Sequence, residues 1–171
     1  MSARTPWALA RACHPEPTLA VAALVTVLAL RWGRGAGTLW VTLAVLCGQL
    51  SVGWANDYLD RELDAGRPDK PLATGELSPA LVLRAVFVAM LLAVLFSLFS
   101  GLPATAVHVV GLTLAHAYNL WLKRTPLSVV TYAVAFAMVP AFVTLGLAAH
   151  RLPPGWVMLA AALLGAGAHF T

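Results

Sequence analysis

Residues 38–72 read T-L-W-V-T-L-A-V-L-C-G-Q-L-S-V-G-W-A-N-D-Y-L-D-R-E-L-D-A-G-R-P-D-K-P-L, an apolar run that ends in a cluster of carboxylates. Six of the chain's seven acidic residues fall between Asp57 and Glu76, and only Arg61, Arg67 and Lys70 accompany them. This short segment therefore carries −3 in a chain of net charge +4. Carboxylates at the mouth of an apolar helix need a compensating charge, because like charges at helical spacing repel and ionised groups are costly at membrane depth.

The rest of the chain repeats the apolar theme. Sixty per cent of the 171 residues are hydrophobic and 11% are charged, with a mean hydropathy of +0.82. Such a composition lies outside the range of soluble domains. Apolar stretches of roughly 17–25 residues predict helices that cross a bilayer, and the short alternating segments of a membrane barrel are missing. The predicted fold is all-α, a polytopic transmembrane helix bundle with about six spans near 17–33, 38–58, 79–100, 103–122, 128–149 and 155–171. Ser78-Pro79 reads as a helix cap followed by proline at the first helical position, Pro103 and Pro126 mark similar starts, and Pro140 is expected to kink the span that contains it. No linker, repeat or low-complexity tract divides the chain, so residues 1–171 form one membrane unit.

Basic residues give a side. With the N-terminus in the cytoplasm, Arg4, Arg11, Arg61, Arg67, Lys70, Arg84, Lys123 and Arg124 lie inside and Arg31, Arg34 and Arg151 outside, the excess expected of cytoplasmic loops. The expectation is an integral, multi-pass protein of the cell inner membrane with its Asp-rich loop cytoplasmic. The pattern lacks the aromatic-interleaved basic groove of a nucleic-acid binder. Cys13 and Cys47 fit no metal or redox spacing.

On a helical wheel of about 100° per residue with Asn56 at zero, Asp60 falls near 40°, Asp64 near 80° and Asp57 near 100°. All four share roughly one quadrant, and Gln49 and Gly53 continue that face into the bilayer. Oxygen donors without His or Cys suit a hard cation, and Mg²⁺ commonly takes one or two carboxylates plus substrate phosphates. Arg67, Lys70, Lys123 and Arg124, from neighbouring loops on the same side, could hold those phosphates. Carboxylates, metal and a basic clamp together describe a diphosphate site. The same residues also describe a helix end that merely solvates its charges. His116, Asn119 and Lys123 share one face of the fourth span and could line a cavity below the diphosphate, where Tyr118 could also reach; an interhelical hydrogen bond or an interfacial anchor is the plainer role for each.

Here the sequence resembles a family. N-D-x-x-D-x-x-x-D followed by R-P-D-K-P-L-A-T-G-E-L-S is similar to the first aspartate-rich motif and loop of the UbiA superfamily of intramembrane prenyltransferases. R-A-C-H-P-E-P-T-L-A at 11–20 and Y-N-L-W-L-K-R-T-P-L at 118–127 resemble its first-span start and second cytoplasmic loop. The resemblance implies a helical membrane enzyme of about nine spans, in which two aspartate-rich motifs bind Mg²⁺ and an isoprenyl diphosphate. It implies Asn56, Asp60 and Asp64 as metal ligands, with Asp57 beside them in the catalytic set. Arg67, Lys70, Lys123, Arg124, Tyr118, Gln49, His116 and Asn119 become the expected substrate-binding residues. The implied reaction transfers a prenyl group to a lipophilic, commonly aromatic, acceptor within the membrane lipid. The second motif would follow the sixth span, yet no acid follows Glu76. The chain is thus expected to be an N-terminal portion, with activity belonging to the complete protein. Two alternatives are a non-enzymatic membrane protein with a cation-binding acidic mouth and an inactive fragment. The acceptor, the prenyl chain length and the oligomeric state are not set by the sequence.

Overall fold

The computed structural model describes residues 5–170. Arg4, counted above toward orientation, and Thr171, at the end of the last expected span, lie outside the described residues. Within them the chain is all-helical. Helix α1 (Thr5–Ala12) is followed by α2 (Pro15–Arg31), α3 (Gly37–Asp60), α4 (Pro79–Leu98), α5 (Leu102–Leu120), α6 (Ser128–Leu145) and α7 (Gly155–His169), with one 3₁₀ turn at Leu122–Arg124. Every expected span is a helix, displaced by a few residues at its ends.

Local chemistry explains the boundaries. Ser78 Oγ accepts from the Leu81 N–H at 3.3 Å and Pro79 opens α4, as the sequence predicts. Gly101, at φ +88, makes the left-handed turn into α5, which a side chain would strain. Helix α6 continues through Pro140, which is buried.

The helices run up and down, so the connections sort to two ends. Helix α1, residues 61–78, the 121–127 turn and the end of α7 lie at one; residues 32–36, 99–101 and 146–154 lie at the other. Helix α3 is central, packed by α2, α4 and α5, while α6 joins α5 and α7. The main core, Val25, Ala29, Val41, Ala44, Val45, Ala104, Phe142 and Val143, fills the end away from the acids. A second cluster of Ala8, Ala12, Leu72, Leu77 and Val82 glues α1 and the 61–78 loop onto α4. Outside, Phe87, Val88, Leu91 and Leu95 on α4 and Leu159, Leu163 and Leu164 on α7 are exposed. An apolar exterior of this extent belongs against lipid.

By length and composition, α3, α4 and α6 can each cross a membrane, and α1 with α2, bent by 72°, supplies a fourth crossing if the pair is one span. This is fewer than the six expected, for two reasons. Helix α5 carries Thr105, His108, His116 and Asn119, which lower its hydropathy although the two histidines and Asn119 bond to neighbouring helices and Thr105 to Gly101 O at the start of its own. Helix α7 has 15 residues, about 22 Å against a hydrocarbon core of about 30 Å. The protein is an integral membrane protein built as a helical bundle.

The bend between α1 and α2 was not foreseen. His14 sits at φ 54 between them, with Pro15 opening α2. Thr18 Oγ1 donates to Cys13 O at 2.9 Å, and Trp54 Nε1 donates to Leu9 O at 2.8 Å. Gly53 makes this approach possible, since a Cβ there would stand 2.2 Å from Cys13 O. At the opposite end Arg34, between α2 and α3, donates to Gly146 O at the end of α6 and, at 2.6 Å, to Ser100 Oγ between α4 and α5.

Candidate diphosphate and metal site

Helix α3 ends at Asp60, and Asp64 follows in a series of turns. The wheel that placed four side chains in one quadrant therefore ran past the end of its helix. The acids divide into two groups. On one flank, Lys123 Nζ lies 2.5 and 2.6 Å from the two carboxylate oxygens of Asp60 and 3.5 Å from Asn56 Oδ1. On the other, Lys70 Nζ lies 2.7 Å from Asp57 Oδ1, 3.6 Å from Asp64 Oδ2 and 3.5 Å from His14 Nε2. The continuous polar stripe is corrected too: Gly53 faces Cys13, whereas Gln49 lines a cavity between α3, α5 and α6.

Each lysine is delivered by its local fold. Lys123 sits in the 3₁₀ turn that follows α5 and points back over the end of α3. Lys70 is carried by turns in which Asp64 N–H bonds Asp60 O, Arg67 N–H bonds Asp64 O and Lys70 N–H bonds Arg67 O. Gly66, at φ +88, supplies the left-handed step. Leu72 and Leu77 then pin the loop to α1 and α4. Asp57 is 2% exposed, and a buried carboxylate persists only with partners, which Lys70 and His14 provide at Oδ1. Its Oδ2 is buried and has no hydrogen-bond partner among the described residues.

Further out, Arg67 pairs with Asp64 at 3.2 Å and Asp69 at 2.8 Å. Its guanidinium holds the Asp69 carboxyl below the usual carboxylate range, first through the hydrogen bond between them. Arg11 pairs with Glu76, tying α1 to the loop. Arg124 is exposed beside Lys123.

The remaining expected residues lie deeper. His116 Nε2 meets Ser51 Oγ at 3.1 Å, and Asn119 Nδ2 donates to Val52 O at 2.8 Å. Both fasten α5 to α3, and neither lines the cavity. Tyr118 does line it, meeting Tyr132 of α6 edge to face at 4.7 Å. His14, Tyr132 and His108 were not singled out from sequence. Only His14 lay within a quoted motif, R-A-C-H-P, and its role depends on a contact 43 residues away in sequence.

Among the described residues no three His, Cys, Asp or Glu side chains form a ready metal cage. The oxygen donors Asn56 and Asp60 nonetheless suit a hard cation that takes its other ligands from water and phosphate. The Lys123 ammonium now lies on them, showing that the pocket of oxygens accepts positive charge.

The described residues form a multi-helix membrane bundle with two lysines and four acidic or amide side chains at one end and an apolar cavity between α3, α5 and α6. The chain belongs to the UbiA prenyltransferase family, whose family model matches residues 16–171. Prenyl transfer is the general activity of that family. Among curated proteins and solved structures, none matches the chain.

Proposed function

We propose that this protein binds an isoprenyl diphosphate with Mg²⁺ at the Asn56–Asp60–Lys123 mouth and donates the prenyl group to a lipophilic, commonly aromatic, acceptor. The observation that carries the proposal is the pairing of two lysines with acids of one helix end, on a bundle whose α3, α5 and α6 enclose a cavity lined by apolar and aromatic side chains that reaches Val52 and Tyr118 near that end. A diphosphate exchanges partners readily in such a place: its oxygens take the lysines, and the released carboxylates take the cation. Asn56 and Asp60, with Asp64 from the following turn, would hold Mg²⁺, which when bound supplies charge stabilisation for the leaving diphosphate.

The chain's own residues then have separate tasks. Lys123 and Lys70 stabilise negative charge on the diphosphate as the C1–O bond breaks and its electron pair leaves with oxygen. The acceptor forms the new bond to C1 and gives up a proton. Before the diphosphate binds, Asp57 holds Lys70 and His14 and so keeps the 61–78 loop over the end of α3, and Arg67 secures that loop through Asp64 and Asp69. The cavity excludes water from the allylic cation. The excess of basic residues at this end supports a cytoplasmic mouth.

The test is equilibrium binding of farnesyl diphosphate to the protein in nanodiscs, with and without Mg²⁺. Mg²⁺-dependent binding lost in Asp60→Asn is expected. Mg²⁺ binding with no affinity for the diphosphate would replace the proposal with the cation-binding, non-enzymatic reading.

A further inference from the structure

The cavity has two aromatic rungs. At its mouth Tyr118 of α5 meets Tyr132 of α6, with ring centroids 4.7 Å apart. At its inner end His108 of α5 stacks on Phe142 of α6, with centroids 4.6 Å apart and planes 11° from parallel. The rungs are ten residues apart on both helices, about 15 Å at 1.5 Å per residue. Between them the walls include the small residues Gly111, Ala115 and Ala135.

The inner rung is braced. Ser97 Oγ donates its only hydrogen to Ala93 O at 2.7 Å. Its 2.5 Å contact with His108 Nδ1 is therefore made by the ring N–H, which leaves Nε2 of the neutral ring as a bare acceptor. That nitrogen faces the wall at Gly48, where a Cβ would stand 3.5 Å away. Phe142 is 1% exposed and belongs to the main core, with Val45 and Val143 packed alongside. Hydrocarbon advancing past this rung must either break the brace to α4 or enter a filled core, and it meets an acceptor that it cannot satisfy.

We infer that the His108–Phe142 rung sets the length of the prenyl chain, admitting about three isoprene units. Three units comprise twelve main-chain carbons, and with bonds near 1.5 Å in zigzag they extend about 15 Å, the separation of the rungs. This inference rests on the proposed binding of a prenyl diphosphate and names the substrate's chain class. His108 is a specificity-determining residue that touches the distal end of the chain.

The experiment measures Mg²⁺-dependent binding of geranyl, farnesyl and geranylgeranyl diphosphates to the full chain in nanodiscs. Wild type is expected to hold farnesyl at least tenfold more tightly than geranylgeranyl diphosphate. His108→Ala should erase that tenfold gap by opening the inner end. Ala115→Leu should weaken farnesyl relative to geranyl diphosphate by tenfold or more by filling the space between the rungs. Opposite shifts cannot come from general loss of fold, and thermal melting of both variants checks that each is folded. Equal affinities for the three chains in wild type, or a length preference that neither variant moves, would overturn the inference while leaving diphosphate binding in place. Binding of none of the three would remove the proposed function and this inference with it.

Discussion

Lys123→Ala separates metal from diphosphate because its expected effects have opposite signs. The ammonium lies 2.5 and 2.6 Å from the Asp60 oxygens and 3.5 Å from Asn56 Oδ1, so it competes with any cation for the same donors. The side chains are 17% and 19% exposed, between a surface pair and a buried one. A net attraction of about 1 kcal/mol is reasonable at that depth, and its removal should tighten Mg²⁺ binding about fivefold in the absence of diphosphate. The same substitution deletes a charge-assisted contact to phosphate, which contributes about 1.5–3 kcal/mol. Prenyl-diphosphate affinity should therefore fall by about 10- to 100-fold. Mn²⁺ titration followed by electron paramagnetic resonance reads the first effect, and farnesyl diphosphate binding reads the second. If both affinities fall together, or neither moves, Lys123 is a membrane-interface anchor and the partner-exchange reasoning fails.

Three further outcomes follow from the same geometry. Lys70→Ala strands the Asp57 carboxylate in a buried position and should cost about 3 kcal/mol, seen as a lower melting temperature in detergent that Asp57→Asn in the same chain largely restores. Gly53→Ala would place a methyl 2.2 Å from Cys13 O and should melt well below wild type, whereas Gly167→Ala, with nothing within 4 Å of its Cβ, should not. Because Arg67 depresses the Asp69 carboxyl, the loop tie is fully present above the ordinary Asp value of about 3.9 and is lost as pH falls through the lower folded value; limited pepsin cleavage at the exposed Leu63 of the same loop, followed as pH is lowered through that value, should show loop protection to the lower pH in wild type and not in Asp69→Asn.

The helices and the charged mouth were legible in the sequence because both depend on local pattern. Ser78-Pro79 specified the start of α4, and the acids of 57–76 marked the mouth. The division of the acids was less accessible. On the wheel Asp57 and Asp60 differ by about 60°, enough for one to face α1 and the other the turn after α5 once both neighbours are in place. Nothing local in D-Y-L-D says which lysine each acid will meet, since the partners lie 13 and 63 residues away. Helix α1 was missed because eight residues, TPWALARA, offer only Ala8 and Ala12 as a buried face. Polar residues in α5 suggested a ligand face, whereas His116 and Asn119 satisfy their hydrogen bonds on α3; within a bilayer an inward polar group and a substrate contact have the same sequence signature.

Arg34 imposes an order on assembly. It lies in the connection before α3, yet one of its partners, Gly146, is 112 residues further on. At a synthesis rate of about 5–20 residues per second, the guanidinium waits roughly 6–22 seconds for that carbonyl. Ser100 follows Arg34 by 66 residues, so for the first part of this interval the guanidinium has neither partner, and for the rest it can join the connection at 32–36 only to that at 99–101. Arrival of the end of α6 fastens a loop made early in synthesis to one made late. The bundle thereby acquires a time at which its far end closes, and a chain arrested before Gly146 should remain open to proteases that the finished protein resists.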